Sequence, residues 1–492
     1  MNARDIPADS CTPSTSPPGS SAKTDAPRPP VPGWGALLSG ANGVRSLALA
    51  GGVALHAMNV YIGTTILPSV VRDIGGLDFY AWNTTIFVVA SIVGSALAAR
   101  LLRKAGPRAA YASASALFAL GAMLCAVSPS MPIMLVGRFV QGLGGGLLFA
   151  LAYAMIRVVF DEALWPRAMA LVSGMWGVAT LVGPAVGGIF AELGVWRAAF
   201  WALVPVTLLF AGLAAAVFPK RDAHTSESSP VPLAQLALLV AAVLAISAGS
   251  TSAQLGRNVV GVIGAVALTA LLARLEARAQ HKLLPSGAFR PTTVIAALYA
   301  TMCLLSITVT SGEIFVPLFL QVLHHQSPLA AGYLAALMAA GWTLGSIASS
   351  GARGRGIRRV LLAGPLLELA GMIALTILFP TSSGGTWMDL APICVALVAI
   401  GLGVGMTWPH LLTRALQVAP PEEQELAGAS ITTVQLFAVA IGASLAGMVA
   451  NAGGLIDPGG TAGTASAARW LFGVFALAPL LCIGTVKRVA NA

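Results

Sequence analysis

The sequence predicts an all-α integral membrane protein with fourteen membrane-spanning helices. The prediction rests on three observations: the composition, the number of long apolar segments, and a pattern repeated in the two halves of the chain. Of the 492 residues, 57% are hydrophobic and only 9% are charged, and the mean hydropathy is +0.83. Soluble domains carry about 25% charged residues, so this chain is expected to lie in a lipid bilayer.

The apolar segments are long enough to cross a membrane, since a spanning helix needs about 20 residues. They cover 47–70, 82–101, 109–128, 132–158, 167–190, 198–218, 231–250, 258–274, 292–321, 328–350, 358–379, 390–413, 428–450 and 468–487. We predict a disordered cytoplasmic tail at 1–45, a six-helix bundle at 46–219, a linker with two extra transmembrane helices at 220–291, and a second six-helix bundle at 292–488. The tail prediction follows from its Pro, Ser, Thr and Ala content.

The net charge of +10 is distributed unevenly among the loops. Loops predicted to lie inside contain RKAGPR, PKR, RLEAR with KLLPSGAFR, GARGRGIRR and the terminal KR, whereas those outside contain only Arg72, Arg197, Arg257 and Arg469. Lys and Arg collect on the cytoplasmic side of membrane proteins. The pattern therefore predicts a multi-pass protein of the bacterial cytoplasmic membrane with both termini in the cytoplasm, and the charge does not indicate a nucleic-acid partner.

The two halves of the chain share sequence features at an offset of about 250 residues. Gly106-Pro107-Arg108 precedes Gly121 at the same spacing that separates Gly356-Ile357-Arg358 from Gly371, and Pro68 corresponds to Pro317. Repeated bundles with a binding site at their interface are typical of secondary transporters. The repeat therefore indicates two related six-helix units with two helices inserted between them.

The stretch from Arg138 to Trp201 contains the most informative motifs. An arginine within a membrane span is costly and normally marks a partner or a pathway inside a bundle. The following span contains Gly183-Pro184-x-x-Gly187-Gly188. Small residues let membrane helices approach closely, and neighbouring helices accommodate a proline kink. We therefore expect two helices in close contact, with a bend where they meet.

Taken in order, these motifs resemble the major facilitator superfamily, and within it the fourteen-span drug:proton antiporters. The similar segments are Arg138-x-x-Gln141-Gly142-x-Gly144-Gly145-Gly146 for the fourth helix, Gly183 to Gly188 for the antiporter motif of the fifth, Trp196 to Trp201 before Val204-Pro205 for the sixth, and Leu284-Pro285 to Phe289-Arg290 before the ninth. The resemblance covers nearly all of the chain after residue 45. It implies the major facilitator fold and alternating access between the two bundles.

Two positions depart from the family pattern. The first helix reads MNVYIGTTILP and has Asn59 where the family usually has an aspartate used in proton or cation coupling. In the loop after the second helix, Arg103 stands where the family has an aspartate that normally helps to hold the cytoplasmic side closed. Arg108 follows in the same loop. The resemblance assigns Arg103 and Arg108 to the gating motif, but the coupling mechanism of the family does not transfer directly.

Glu313 is the predicted proton or cation site. It is one of 18 acidic residues, and it shares a helical stripe with Ser306, Thr310 and Pro317 that should face water or protein. By the resemblance, this ninth helix lines the cavity. The alternative is a carboxylate that anchors a loop near the outer mouth. Glu368 also lies within a span, but its helix corresponds to an outer position, and a structural role between helices is favoured for it.

Arg138 and His56 complete the predicted coupling group. Arg138 either interacts with the first helix near Asn59 during proton transfer or is a fixed positive charge satisfied by carbonyl groups. His56 lies on the same helix face as Asn59 and could titrate near neutral pH, although a hydrogen-bonded structural histidine is the alternative. The predicted substrate cavity is formed by Asn59, Thr64, Gln141, Thr310, Trp342 and Gln435. A packing role is the alternative for each of them.

The sequence argues against an enzyme. It has no Walker A motif, and its glycine clusters neither follow a strand nor open a βαβ unit. The five cysteines have no zinc-site spacing, and no nucleophile–base pair is recognisable. We therefore expect no metal and no cofactor, with the proton gradient as the energy source.

The predicted function is secondary active transport, in the form of proton-coupled efflux of small hydrophobic compounds or drugs by alternating access. A dedicated metabolite or siderophore exporter and an uncoupled carrier are alternatives within transport. A membrane sensor that does not transport is the alternative from another class. The expected partners are a small-molecule substrate and the lipid bilayer, and the protein is expected to be a monomer.

Overall fold

The computed structural model describes residues 33–220, 232–251 and 254–491, and all regular structure in these ranges is helical. The α-helices are α1 Trp34–Leu38, α2 Gly40–Ile74, α3 Trp82–Ala126, α4 Met131–Val159, α5 Trp165–Glu192, α6 Arg197–Val217, α7 Leu233–Ser250, α8 Leu255–Arg278, α9 Val294–Leu323, α10 Pro328–Ser349, α11 Arg355–Leu378, α12 Trp387–Val418, α13 Gln424–Ala450, α14 Gly460–Phe475 and α15 Leu477–Asn491. Residues 1–32 of the predicted tail and most of the polar break at 219–230 lie outside the described residues.

Thirteen helical segments of the described chain are long and apolar enough to span a membrane. The segment 77–126 has 50 residues and contains two predicted spans. It turns at Gly106, whose φ of 79° and ψ of 167° lie in a region that glycine adopts without a steric penalty. Dividing it at Gly106 gives the fourteen predicted spans, and the predicted all-α membrane fold is confirmed.

The predicted tail differs from the structure in its last residues. Residues 34–45 were assigned to a disordered segment, but α1 and the first turns of α2 occupy this range. Leu37 is fully buried, and the hydroxyl of Ser46 donates to its carbonyl oxygen at 3.0 Å. This short apolar sequence was too brief to stand out as a span, yet it folds because the bundle covers it.

The turn at Gly106 divides α3 into two arms, Trp82 to Gly106 and Pro107 to Ala126. Glycines of α4 allow this helix to lie against both arms. A Cβ at Gly142 or Gly146 would overlap the backbone of Phe87 or Ser91 in the first arm, and one at Gly144 would overlap the backbone of Phe118 in the second. The hydroxyl of Ser91 donates to the Gly142 carbonyl at 3.0 Å. Such contact is the usual way in which membrane helices associate, since apolar side chains alone gain little over lipid.

The second half uses the same packing device. Gly401 and Gly405 of α12 leave no space for a Cβ next to the backbone of Met338 and Trp342 in α10. Gly403 of the same helix lies against Gly364 and Glu368 of α11. The repeat seen in the sequence thus corresponds to two groups of helices held together at glycine positions.

Hydrogen bonds between the two halves occur at one end of the molecule, which we call the closed face. Among the described residues, four of them join residues 33–220 to residues 294–491. They pair Thr85 with Ser444 at 3.5 Å, Leu329 N–H with Glu192 at 3.4 Å, Tyr333 hydroxyl with Leu181 carbonyl at 3.0 Å, and Asn451 amide with Asp78 carbonyl at 3.2 Å. The rings of Tyr80 and Phe315 pack there, with centroids 5.2 Å apart.

The opposite end, which we call the basic face, carries the Gly106 turn with Arg103 and Arg108. The first arm of α3, from Trp82 to Gly106, separates the two faces by about 36 Å at 1.5 Å per residue. Both arginines are exposed. Within the described part of the chain, neither of them forms an ion pair. The structure therefore shows hydrogen bonds that join the halves at the closed face, while the described residues provide no ion pair through Arg103 or Arg108 at the basic face.

The helices α7 and α8 form a hairpin beside α3 and α13. The hydroxyls of Ser247 and Ser444 lie 2.6 Å apart, and the indole N–H of Trp82 donates to the Ser247 carbonyl at 3.0 Å. At the other end, Glu423 accepts from the N–H and the hydroxyl of Ser286 at 2.7 and 2.6 Å. The two extra helices are thus attached to both halves. The domain boundaries at 45, 219 and 291 stay predictions.

The contact between α3 and α4 leads to a stability prediction. We expect Gly146→Ala to lower the free energy of unfolding by about 1–3 kcal/mol, because the added methyl group meets the Ser91 backbone and overpacks the interface. Gly174→Ala in α5 is the matched control, since no atom lies within 4 Å of its Cβ position and alanine favours a helix. Thermal unfolding in detergent, followed by tryptophan fluorescence, measures both. Equal melting temperatures would contradict the proposed packing.

The Ser286–Glu423 contact leads to a pH prediction. The hydroxyl of Ser286, helped by its N–H and by Lys282, lowers the pKa of the Glu423 carboxyl. The contact therefore stabilises the fold above the pKa of an unfolded glutamate, about 4.3, and this contribution is lost as the pH falls through the lower folded value. Between pH 5 and 3, Glu423→Gln should lose less thermal stability than the wild type. Glu422→Gln, at an exposed neighbouring position, should behave like the wild type.

Candidate functional site between the two halves

Arg138 is the centre of a buried polar cluster in the first half. Its guanidinium is 2% exposed and donates to the Asn83 carbonyl at 3.3 Å, to Asn59 Oδ1 at 3.1 Å and to Gln141 Oε1 at 2.8 Å. It also lies over the Phe87 ring, 4.3 Å from the centroid. All three acceptors are uncharged, and no carboxylate of the described chain forms an ion pair with it.

The structure contains contacts of both kinds considered for Arg138, one with Asn59 of the first helix and one with the backbone carbonyl of Asn83. Gly63 of the first helix leaves room for the Arg138 side chain, because a Cβ at this position would lie 3.3 Å from Nη2 of the guanidinium. Asn59 and Gln141, which were predicted to line the substrate cavity, are both fully buried and face this arginine. The structure places them as hydrogen-bond partners of Arg138. Their role in substrate binding stays a prediction.

His56 lies among aromatic rings next to this cluster. Its ring centroid is 5.4 Å from Phe87, 5.3 Å from Phe149 and 6.1 Å from Trp176. The side chain is 4% exposed. Phe149 also contacts Tyr153, with ring centroids 5.3 Å apart. These rings form an aromatic wall, which we define as His56, Phe87, Phe149, Tyr153 and Trp176.

The Gly183–Gly188 motif brings α5 against helices of both halves. A Cβ at Gly183 would lie 2.5 Å from the Tyr61 Cβ in α2, and one at Gly187 would lie 3.2 Å from the Ile62 carbonyl. A Cβ at Gly188 would lie 2.5 Å from the Leu329 Cα in α10. Pro184 is next to Gly332 of α10, where a Cβ would be 3.1 Å from the proline Cβ. The close helix contact expected from this motif is therefore present, and it includes the junction between the halves.

Glu313 lies at that junction. It is half-buried and lines a cavity of about 20 Å³ with Tyr61 and Thr64 of α2, Pro317 of α9, and Gly332 of α10. A volume of this size holds about one water molecule. Within the described chain, no basic residue forms an ion pair with Glu313. The structure thus brings together Glu313 and Thr64, two of the predicted site residues, across the boundary between the halves.

The polar stripe on α9 faces protein, as its spacing predicted. Thr310 is 2% exposed and donates its hydroxyl to the Ser306 carbonyl at 2.7 Å. A Cβ at Gly442 of α13 would lie 3.4 Å from its Cβ, so Thr310 faces that helix. Gln435 is half-buried on α13. Trp342 of α10 is half-buried, and its ring lies 5.5 Å from that of Trp408. The structure leaves the cavity role of these residues untested.

Glu368 of α11 is fully buried and lies against Gly403 of α12. Thr308 and Cys482 are its polar neighbours. No described arginine pairs with it. Elsewhere, the described residues contain no group of three or more His, Cys, Asp or Glu side chains arranged to hold a metal ion.

Tyr61 and Phe87 belong to the site but were not singled out from the sequence. Tyr61 lies one turn from Thr64 on a helix that also carries Asn59 and Thr65, so a polar stripe on α2 was a usable signal. Phe87 contacts Arg138 only through the packing of α3 against α4. Nothing in the local sequence distinguishes it from other apolar residues of that span.

Two related helix bundles with a polar site at their junction define a secondary transporter. The family model described as "Major Facilitator Superfamily" matches residues 49–443, so the chain belongs to the major facilitator superfamily. It is 39% identical over 450 residues to the "Probable multidrug-efflux transporter" of Mycobacterium tuberculosis strain H37Rv, which covers 90% of this chain and 93% of that protein. It is 23% identical over 415 residues to "Multidrug resistance protein 3" of Bacillus subtilis, with 82% and 78% covered.

Solved structures show the same fold at low sequence identity. A POT family transporter in complex with a thioalcohol-conjugated peptide has a TM-score of 0.65 at 13% identity, with 91% of this chain and 96% of that chain covered. A D-xylose-proton symporter has a TM-score of 0.61 at 14% identity, with 90% and 97% covered. At this identity the similarity shows the fold alone.

The Arg138 cluster leads to a further stability prediction. We expect Arg138→Lys to destabilise the protein by about 2 kcal/mol or more, because an ammonium cannot reproduce the planar fork that serves three acceptors, and each buried acceptor left unsatisfied costs about 1–3 kcal/mol. Arg103→Lys is the control, since Arg103 is exposed. Thermal unfolding in detergent measures both variants. A melting temperature for Arg138→Lys equal to that of the control would show that the cluster does not stabilise the fold.

Proposed function

We propose that this protein is a proton-coupled exporter of small hydrophobic compounds and a member of the fourteen-span drug:proton antiporters. The observation that carries the proposal is Glu313, a carboxylate without an ion-pair partner in the described chain, placed where α2, α9 and α10 of the two halves meet. A carboxylate at a moving junction experiences different hydration as the junction opens and closes. Proton binding at Glu313 is thereby linked to the position of the halves.

The steps follow from the arrangement of the two faces. With the closed face sealed, Glu313 and the cavity of about 20 Å³ lie next to the hydrogen bond that Tyr333 makes across the halves, since Gly332 lines the cavity. Separation of α2 and α5 from α10 hydrates Glu313 from the closed face and permits proton exchange there. Closure of that face and opening of the basic face present the site to the other compartment. Compound and proton move in opposite directions because they occupy this junction in alternation.

The aromatic wall supports a hydrophobic substrate. Its flat rings present large apolar surfaces next to the Arg138 cluster. Arg138 supplies a fixed positive charge whose partners are all neutral. The first half of the site therefore suits neutral or anionic compounds better than dications. The similarity to a relative named as a probable multidrug-efflux transporter, at 39% identity, supports export of such compounds.

The distribution of Lys and Arg supports an orientation of the protein in the membrane. We place the basic face in the cytoplasm, both termini on that side, and the protein in the bacterial cytoplasmic membrane, on the basis of the distribution of Lys and Arg. The bundles at 46–219 and 292–488 act as the two moving units. The protein works as a monomer without a cofactor, draws on the proton gradient, and has no enzymatic activity.

An uncoupled carrier is the second candidate, favoured by Asn59. Its amide is the Arg138 partner at the position where the family has a carboxylate, so the first half of the site contains no proton acceptor of that kind. Export without proton movement is the distinguishing behaviour. Under this alternative, Glu313 has only a structural role.

Proton movement in liposomes tests the proposal. Purified protein is reconstituted with an internal pH dye and screened with hydrophobic dyes, antibiotics and organic acids. We expect a transported compound to drive proton flux in the wild type, and Glu313→Gln to lower this flux at least about tenfold, because the amide cannot carry the proton. Glu162→Gln, at an exposed loop position, is the matched control and should retain the flux.

Three outcomes separate the candidates. Loss of proton flux in Glu313→Gln, with the flux retained in Glu162→Gln, supports antiport through Glu313. Flux in Glu313→Gln equal to that of the wild type places coupling elsewhere and contradicts the assigned role. Movement of a labelled compound in the wild type without any proton movement identifies an uncoupled carrier.

A further inference from the structure

A second cavity lies away from the junction of the halves. It has a volume of about 210 Å³ and is lined by residues of α7, α8, the segment 279–293, α9 and α13. We call it the lateral pocket and define it by Glu276, Phe289, Tyr299, Cys303 and Phe437, which lie on its different walls. Its lining is almost entirely apolar, and none of the residues of the Arg138 cluster or the Glu313 cavity belongs to it.

Among the described residues that line this pocket, Glu276 is the one acidic side chain. It lies in the last turn of α8 and is 5% exposed. Its Oε1 accepts from the N–H groups of Leu283 and Leu284 at 2.5 and 2.8 Å. Its Oε2 is buried and has no hydrogen-bond partner among the described residues. Two backbone bonds therefore fix the carboxylate in place and leave one oxygen unused in an apolar cavity.

The neighbouring charged and polar groups do not satisfy this oxygen. Arg274 and Arg278 on the same helix are exposed, and neither forms an ion pair with Glu276. Lys282 instead lies 3.6 Å from Glu423. The hydroxyl of Tyr299, which also lines the pocket, is 2.6 Å from that of Ser430. Buried polar atoms are normally paired, so an unpaired one beside an empty volume indicates a missing partner.

We propose that the lateral pocket binds a small hydrophobic amine in its protonated form. The ammonium group donates to Glu276 Oε2, and the apolar body fills the space between Phe437 and Cys303. A ligand that brings its own positive charge neutralises the buried carboxylate, which a neutral donor cannot do. A cavity of about 150 Å³ lined by apolar side chains binds benzene, so about 210 Å³ suits a ligand larger than one ring.

The position of the pocket connects the bound amine to the transport machinery. Its walls belong to α9, which carries Glu313, and to α13, which contacts the first half through Ser444. An amine held there would contact the extra helices and the second half at the same time. The site is separate from the central one, so the proposal does not depend on proton coupling at Glu313.

Cys303 provides a local readout. It is half-buried and lines the pocket. In a variant in which Cys11, Cys125, Cys394 and Cys482 are replaced by alanine, alkylation by N-ethylmaleimide reports on Cys303 alone. The protein is held in phosphatidylcholine nanodiscs, and the labelling rate is followed by mass spectrometry. The probes are the tertiary amine N,N-dimethyl-2-(1-naphthyl)ethylamine, which forms no stable adduct with the maleimide, and the matched alcohol 2-(1-naphthyl)ethanol.

We expect the amine to protect Cys303 at concentrations at least about tenfold lower than the alcohol, because only the amine forms a charge-assisted bond with Glu276. Glu276→Gln should abolish this difference. The amide oxygen of the substituted side chain can still accept from the N–H groups of Leu283 and Leu284, so the variant should retain its fold. Protection should persist in Glu313→Gln, which separates this site from the central one.

A second variant tests the pocket without changing Glu276, so that a folding defect in Glu276→Gln cannot be mistaken for loss of binding. Ala296→Phe narrows the pocket at a position seven residues from Cys303 on α9, about 10 Å away. It should weaken protection by the amine while Glu276 remains in place. Equal protection by amine and alcohol in the wild type would overturn the proposal, and so would a Cys303 that does not react or is not protected. Cys303 could instead be protected in phosphatidylethanolamine nanodiscs without any added amine. If this protection is lost in Glu276→Gln, the pocket is reassigned to a lipid headgroup.

Discussion

Direct backbone contact between helices at glycine positions is the constraint on which the rest of this structure depends. Within a bilayer, an apolar side chain gains little by leaving lipid for protein, so close approach has to come from small residues. Gly142 and Gly146 bring α4 against one arm of α3, and Gly401 and Gly405 bring α12 against α10 in the same way. These contacts hold the backbones of each group of helices close together and fix the position of the helix that carries Arg138.

The sequence was sufficient to predict the fold and much of the polar layout. Long apolar segments and the distribution of Lys and Arg are local or periodic features, so the spans could be counted without tertiary information. The contact of Arg138 with Asn59 was also foreseeable, because an arginine in a span needs an acceptor on a neighbouring helix. The helical residues 34–45 were missed, since a short apolar turn that is stabilised only by the bundle has no sequence pattern of its own.

Parts of the site lay beyond the sequence because they exist only through tertiary packing. Phe87 and Asn83 meet Arg138 where α3 packs against α4, and no spacing within one helix predicts that meeting. The cavity at Glu313 is formed by three helices from two halves. Glu276 lies in the basic segment RLEAR and was not singled out from the sequence. Its burial, and the oxygen left without a partner, follow from the way the segment 279–293 folds over the end of α8.

The closed face has a consequence for the energy of the conformational cycle. The four hydrogen bonds that join the halves there involve hydroxyl, amide, backbone and one carboxylate group, and no ion pair in the described chain crosses between the halves. At about 1 kcal/mol net for each bond, their sum is only about 4 kcal/mol. The close approach of Gly188 to Leu329 and the Tyr80–Phe315 ring contact add to this sum, so the hydrogen bonds are only part of what holds the face closed. Salt would have little influence on these contacts, since screening acts on pairs of charges. Among the described residues, the hydrogen bonds that close this face are therefore independent of paired opposite charges.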